Sequence, residues 1–482
     1  MSALRPDRGG RGLVANSIAL LASNHLTTVL GYLFWTVLAR GVSASTIGMA
    51  NTVLSAITLV AVLTATGFQP FLTRMLPGAD SRERGGLCGT ALVISAVVSG
   101  VGGVVGALLL PERVHAAVGT GWLVGLLGAG AIASAVSSVI NAALLGVRRA
   151  DFSLLGSVLG SLSRLVTVAA LLGLGVMAAS SDATAAHVIL AIWVASLIVT
   201  SGLGGRLLIR ATPGFRFRCG WVWLSRLRHG VAWDHLAMVS GQLSVLLLPI
   251  LASALFPPAQ VGYATIALMI SGAFFAVSAL VSNALLAHCA DRPEHLRTEI
   301  GRAVRLIGAL LLPPVVITCL LAPKVLGLFG ADYTRYSTLL VLLLVATLPN
   351  TLTDIALASL RVQRRLVAVA AITVTGSAMT IGGSLLLWML MPQWGITGAG
   401  VAALASSVII PITLAVVFFY RNRVSARTSR TAGDTPACVA DGLPSVIAVV
   451  SPADELLLSP VIAFAAPADE SPAESTDWRE RS

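Results

Sequence analysis

Residues 157–177 read SVLGSLSRLVTVAALLGLGVM, an apolar run long enough to cross a bilayer but for Arg164 near its middle. A guanidinium at that depth costs at least ~2.5–3.5 kcal/mol, so it needs water, a carboxylate or a ligand oxyanion beside it. At 100° per residue, Ser153, Ser157, Gly160, Ser161, Arg164 and Thr167 share one helical face, with Leu155, Leu159, Leu162, Leu165 and Val166 on the other. Such a stripe is either a surface on which helices approach closely, with the arginine held by helix-end carbonyls or an acid, or the wall of a wet cavity. In a cavity, the planar guanidinium offers paired donors that match phosphate oxygens.

Other polar residues inside apolar runs extend this set. The first run carries Ser17, Asn24, Thr28, Gly31 and Trp35 on one face, with His25 at its edge; His25 is either a structural group or a ligand or proton carrier. Thr347, Asn350, Asp354 and Arg361 share a face further on, where Asp354 either pairs with an arginine or serves as a coupling-ion site. Gln242 and Asn283 are placed to hydrogen-bond a sugar or to join helices, and Asp234 with His235 open a later run at its boundary. The candidate substrate-binding residues are therefore Arg164, Asn24, His25, Thr28, Ser157, Ser161, Gln242 and Asn283, and the candidate ion-coupling residues are Asp354 and His25. Five cysteines (Cys88, Cys219, Cys289, Cys319 and Cys438) have neither metal-ligand nor redox spacing, so no metal or cofactor is expected.

The elements that must position these groups are membrane helices. Of 482 residues, 56% are hydrophobic and 11% charged, and the mean hydropathy is +0.88, which excludes a soluble domain of this size. Stretches of about 20 apolar residues fit twelve times, at 15–38, 47–72, 87–110, 117–145, 153–178, 187–209, 232–255, 261–287, 303–322, 336–360, 366–390 and 397–420. The net charge of +11 comes mainly from arginines in the connections on the N-terminal side; the opposite side holds only Arg40, Arg113, Lys324 and Arg335. That asymmetry sets topology, with both termini cytosolic, and removes nucleic acid as the expected partner. Residues 1–14 form a short cytosolic N-terminus with no cleavage site before the first run. The basic, aromatic stretch RATPGFRFRCGWVWLSRLRHG lies within an expected amphipathic linker, 210–231, between an N-terminal lobe (15–209) and a C-terminal lobe (232–420). Residues 421–482, rich in Ser, Ala, Pro and acids, are expected to be a disordered cytosolic tail.

The two lobes carry an internal repeat. ARGVSASTIGMANT (39–52) is echoed by ASALFPPAQVGYAT (252–265) at an offset close to 214, at which Gly48 answers Gly262 and Ala50 answers Ala264. AALLGVRR (142–149) is echoed by ASLRVQRR (358–365) at an offset of 216. Six helices per repeat leave both halves with the same topology, hence a pseudo-twofold axis along the membrane normal, the plan of a parallel-repeat transporter.

The stretch NHLTTVLGYLFWTVLARGVSASTIGMANTVLSAITLVAVLTATGFQPFLTRMLP (24–77), with VGYAT (261–265) and QWGITGAGVAA (393–403), resembles bacterial polysaccharide flippases. These form the oligosaccharidyl-lipid branch of the multidrug/oligosaccharidyl-lipid/polysaccharide (MOP) exporter superfamily. The resemblance implies an all-α, MATE-like fold of twelve transmembrane helices in two six-helix lobes around a cavity that opens alternately to each side. It also implies a polyprenyl-pyrophosphate-linked oligosaccharide as cargo, moved from inner to outer leaflet for cell-surface polysaccharide, in a bacterial plasma membrane. Glycosyltransferases or a polymerase of the same pathway would be partners. The first six runs contain Arg164 and no carboxylate, which suits a pyrophosphate better than a cationic drug. An ion-coupled multidrug or cation exporter using Asp354 remains the alternative. A membrane glycosyltransferase or polymerase is the second alternative, disfavoured because the outer loops are short and hold few acids, among them Glu112, Asp182 and Asp332.

Overall fold

The computed structural model describes residues 26, 27, 29–177, 180–212, 218–220, 222, 232–289, 296–363 and 365–432. Within these, eleven helices are long and apolar enough to cross a membrane, preceded by Val29–Gly41, the described part of the first expected span. We call Val29–Gly41 α1. Five spans complete the first repeat: α2 (Ala44–Ala65), α3 (Ser81–Leu108), α4 (Thr120–Gly146), α5 (Ala150–Gly173) and α6 (Asp182–Ala211). The second repeat holds α7 (Ala232–Leu255), α8 (Pro258–Cys289), α9 (Leu296–Leu320), α10 (Ser337–Val362), α11 (Leu366–Leu390) and α12 (Gly398–Ala432).

Local signals set the helix ends. Ser43, Asp80 and Ser181 cap α2, α3 and α6 by accepting from the backbone N–H of Thr46, Glu83 and Thr184. The run expected to span 47–72 stops at Ala65, and after Gly67 a separate short helix, Phe68–Met75, buries Phe71 and Leu72 against α4. Another short helix, Glu112–Val118, fills the connection between α3 and α4. Proline falls inside α7, α9, α10 and α12, where each ring removes one ladder hydrogen bond.

The chain divides into two compact units, Met1–Phe418 and Phe419–Ser482. Of the second, only the continuation of α12 to Ala432 is described, so most of the expected tail lies outside the described residues. Within the first unit the repeat is structural. The turns before α5 and α11 both close with a backbone bond five residues back, Arg149 to Leu144 (2.8 Å) and Arg365 to Leu360 (2.9 Å). The helix ends before α2 and α8 close through Val42 to Leu38 (2.9 Å) and Phe256 to Ala252 (2.8 Å).

At the end opposite the arginine-rich connections the two repeats share one apolar core. Ala39 and Ile47 pack there with Leu248, Ala252, Val261, Ala264, Leu339, Tyr333 and Trp388. Toward the arginine-rich end the cores separate: one cluster joins α2, α3, α4 and α6, and two smaller clusters stay within the second repeat. Where α2 meets α8 the repeat glycines face each other. A Cβ on Gly48 would strike the Pro258 carbonyl, and one on Gly262 would strike the Ala44 carbonyl, each four residues before the opposing glycine. Arg40 adds a bond from Nε to the Leu328 carbonyl (3.1 Å), also between the repeats.

Candidate cation-bearing cavity of the first lobe

Arg164 lies fourteen residues into α5, roughly 21 Å along its axis at 1.5 Å per residue, so near mid-membrane. It borders a cavity of about 220 Å³ lined by Thr27 of the first span, Ser137 of α4, Gly156, Ser157, Gly160 and Ser161 of α5, and Ser196, Leu197 and Thr200 of α6. At ~30 Å³ per water that is space for about seven waters, enough for a phosphate group and too little for an oligosaccharide. The lining carries six hydroxyls and no carboxylate.

The guanidinium is held by its own helix on one edge. Nε donates to the Gly160 carbonyl (3.2 Å) and Nη2 to the Ser161 hydroxyl (3.1 Å). Since Ser161 Oγ accepts that bond, its own proton stays available to a second acceptor. The guanidinium carbon lies 4.1 Å from the centre of the Trp193 ring on α6, a cation–π contact. Among the described residues Arg164 has no carboxylate within ion-pair distance; pairs such as Arg149–Asp151 (2.8 Å) and Arg335–Asp332 (3.7 Å) lie elsewhere.

The expected stripe on α5 is mostly real. Ser153, Gly160 and Ser161 are buried, and Ser157 and Arg164 are half-buried. Thr167 is exposed instead, and Val168 takes the inward place, packed with Phe34 and Leu38. Beyond Arg164 the buried face advances by four residues rather than three, following the contact that seats Leu172 over Gly41.

The structure gathers only part of the expected set. Ser157, Ser161 and Arg164 share the cavity, while Gln242 is exposed on α7 and does not line it. Asn24, His25 and Thr28 lie outside the described residues, as does the side chain of Asn283. His235 receives or donates a bond with Thr66 (3.1 Å), joining α7 to the end of α2; the Asp234 side chain is not described. Asp354 sits in the second repeat, where Oδ2 accepts from Ser278 (2.6 Å) and Asn350 (3.2 Å). Sequence reasoning missed Trp193, Ser196 and Thr200, although spacings of three and four put them on one face of α6.

The second repeat offers a comparison within the same chain. At the offset of 216 that relates the starts of α5 and α11, Gly160, Ser161 and Arg164 answer Gly376, Ser377 and Thr380, and Trp193 answers Ile409. There Thr380 bonds to Ser406 of α12 (2.7 Å), and Ser377 donates to the Ser240 carbonyl of α7. What packs closed in one repeat carries a cation in the other.

These features define a duplicated, multi-pass helical membrane protein with a cationic cavity inside one lobe. Its fold is that of the MOP-superfamily transporters. It matches the inward-facing form of a multidrug resistance MATE family transporter with a TM-score of 0.65 and 17% identity, over 86% of this chain and 99% of the other. It matches the lipid II flippase MurJ, in an inward closed conformation, with a TM-score of 0.64 and 12% identity, over 83% and 87%. A MOP-superfamily transporter from Pyrococcus furiosus, described as having a binding pocket of reverse polarity, gives 0.56 and 16%, over 86% and 96%. No protein-family model matches the sequence, and a search of curated proteins gives no match.

Proposed function

We propose that the chain is an alternating-access transporter that carries a polyprenyl-pyrophosphate-linked oligosaccharide from the inner to the outer leaflet of a bacterial plasma membrane, for cell-surface polysaccharide. The observation that carries this reading is Arg164, a cation without a carboxylate partner among the described residues, set in a hydroxyl-lined cavity at mid-membrane. The Gly160 carbonyl, the Ser161 hydroxyl and the Trp193 ring compensate part of its cost, and an anion in the cavity would neutralise the charge. One neighbour is a lipid II flippase, which supports a lipid-linked cargo. Arg164, with Ser157 and Ser161 and the first-span residues Asn24, His25 and Thr28, receives the pyrophosphate. The sugar occupies the space between the lobes, within reach of Gln242 and Asn283, and the lipid tail stays in the bilayer.

In this reading both termini face the cytosol, the lobes are 15–209 and 232–420, and 210–231 joins them. The shared apolar core then closes the outer end, and cargo enters from the inner leaflet. Glycosyltransferases or a polymerase supply and consume it, and the chain itself performs no group transfer. Reorientation draws on an ion at Asp354 or His25, or on the membrane potential, worth ~2.3 kcal/mol per charge per 100 mV.

A second reading, export of drugs or cations, is favoured by Asp354, a carboxylate inside the second lobe bonded only to the neutral partners Ser278 and Asn350 in the contacts above. Translocation of a fluorescent polyprenyl-pyrophosphate sugar in proteoliposomes separates the two. Arg164→Ala at wild-type abundance should lose that activity. Undiminished translocation by Arg164→Ala refutes the flippase assignment.

A further inference from the structure

We infer that Trp193 is a positioning residue for anion recognition: its indole fixes the guanidinium of Arg164 so that the Nη1/Nη2 end faces the cavity as a paired donor for one phosphate group. The inference rests on the reading of the cavity as a pyrophosphate site and adds the residue that orients it.

A guanidinium has five N–H bonds in a rigid plane. Two of them, on Nε and Nη2, are taken by the Gly160 carbonyl and the Ser161 hydroxyl, which fixes the edge that lies along α5. Those bonds alone leave the plane free to rock about the edge they define. Trp193 restricts that freedom, because the guanidinium carbon lies over its ring, 4.1 Å from the centre. Three N–H bonds remain, both on Nη1 and one on Nη2, and that end matches two oxygens of one phosphate.

The ring is itself held. Phe34, fully buried, meets it edge to face at 5.5 Å and meets Trp35 at 5.6 Å. Ser196 donates to the Trp193 carbonyl (2.8 Å), which also ties a cavity hydroxyl to the same turn. In the second repeat both members change together, Arg164 to Thr380 and Trp193 to Ile409.

The test uses the full chain in lipid nanodiscs, titrated calorimetrically with inorganic pyrophosphate and separately with farnesyl pyrophosphate, which presents the same group on a short isoprenoid. Trp193→Leu should weaken both by about 10- to 30-fold, the loss of a desolvated cation–π contact. Trp193→Phe, which keeps an aromatic face, should recover binding to within about threefold of wild type. Pyrophosphate should also change a fluorescence signal present in wild type and missing from Trp193→Phe. Unchanged affinity in Trp193→Leu, or equal losses in the Phe and Leu variants, overturns the inference. Unchanged affinity in Arg164→Ala would instead overturn the underlying site assignment. Binding of inorganic pyrophosphate without farnesyl pyrophosphate overturns recognition of a lipid headgroup. If Trp193→Leu does not assemble, the comparison of Trp193→Phe with wild type by fluorescence and affinity decides alone, and an unaltered signal counts against the inference.

Discussion

Replacing Gly48 by alanine tests the contact on which the two repeats lean. In a helix with open space beside it, Gly→Ala stabilises by about 0.5–1 kcal/mol, and Gly125 of α4, with nothing within 4 Å of a built Cβ, supplies that control. At Gly48 the same methyl meets the Pro258 carbonyl and comes within 2.9 Å of the Gly262 nitrogen. Both obstacles are backbone atoms of α8, so no rotamer change relieves them and the helices must part. Overpacking of this kind costs about 1–3 kcal/mol, which reverses the sign seen at Gly125. Gly262→Ala should behave alike, since its methyl meets the Ala44 carbonyl and lies 3.1 Å from the Gly48 nitrogen. The two substitutions force the same separation, so the double variant should cost less than the sum of the singles by about 1 kcal/mol. Melting of the purified protein reads the stability. Labelling of Ser157→Cys in intact cells by an impermeant maleimide, in a background with the native cysteines replaced, reads the outer closure and should rise in both glycine variants. If Gly48→Ala melts above wild type, as Gly125→Ala should, and labelling does not change, the reasoning about this crossing is wrong.

Two further outcomes are expected. Asp354→Asn keeps the shape of the group bonded to Ser278 and Asn350 while removing its charge; transport that depends on an imposed ion gradient should fall at least tenfold with abundance unchanged, and gradient-driven transport equal to wild type would remove Asp354 from coupling. Gly89 of α3 lies against the backbone of Arg218, whose N–H also bonds to the Gly85 carbonyl (3.1 Å). Gly89→Val should displace that segment and raise maleimide reactivity of the exposed Cys219 several-fold in inverted vesicles, which mass spectrometry of the labelled peptide would detect.

The spans were legible because a helix in lipid must satisfy its own backbone, which forces about 20 apolar residues wherever the chain crosses. The starts of α7 and α11 and the end of α11 fall where hydropathy puts them. The break after Ala65 was not visible that way, because Phe68–Met75 stays apolar enough to extend the run although Gly67 and Pro70 turn it. The repeat was legible from Gly48 and Gly262 since a backbone crossing tolerates no side chain, and the structure sets those two glycines against each other's helix. Arg164 and its neighbours on α5 could be read from spacing within one helix. Ser137, Ser196 and Thr200 could not be assigned to the same cavity, nor Trp193 to the guanidinium, because which helices adjoin α5 depends on contacts between distant segments that no local periodicity records. Thr167 shows the related limit: an ideal helical projection puts it beside Arg164, yet packing against α1 turns Val168 inward in its place.

Because Gly376, Ser377 and Thr380 occupy the register of Gly160, Ser161 and Arg164, the chain holds its own uncharged version of the site in a lobe that folds. By this comparison α5 is expected to keep its helix without the cation. Removing the charge at Arg164 should therefore spare assembly, whereas the glycine crossing of α2 and α8 belongs to both copies and should tolerate no added side chain from either.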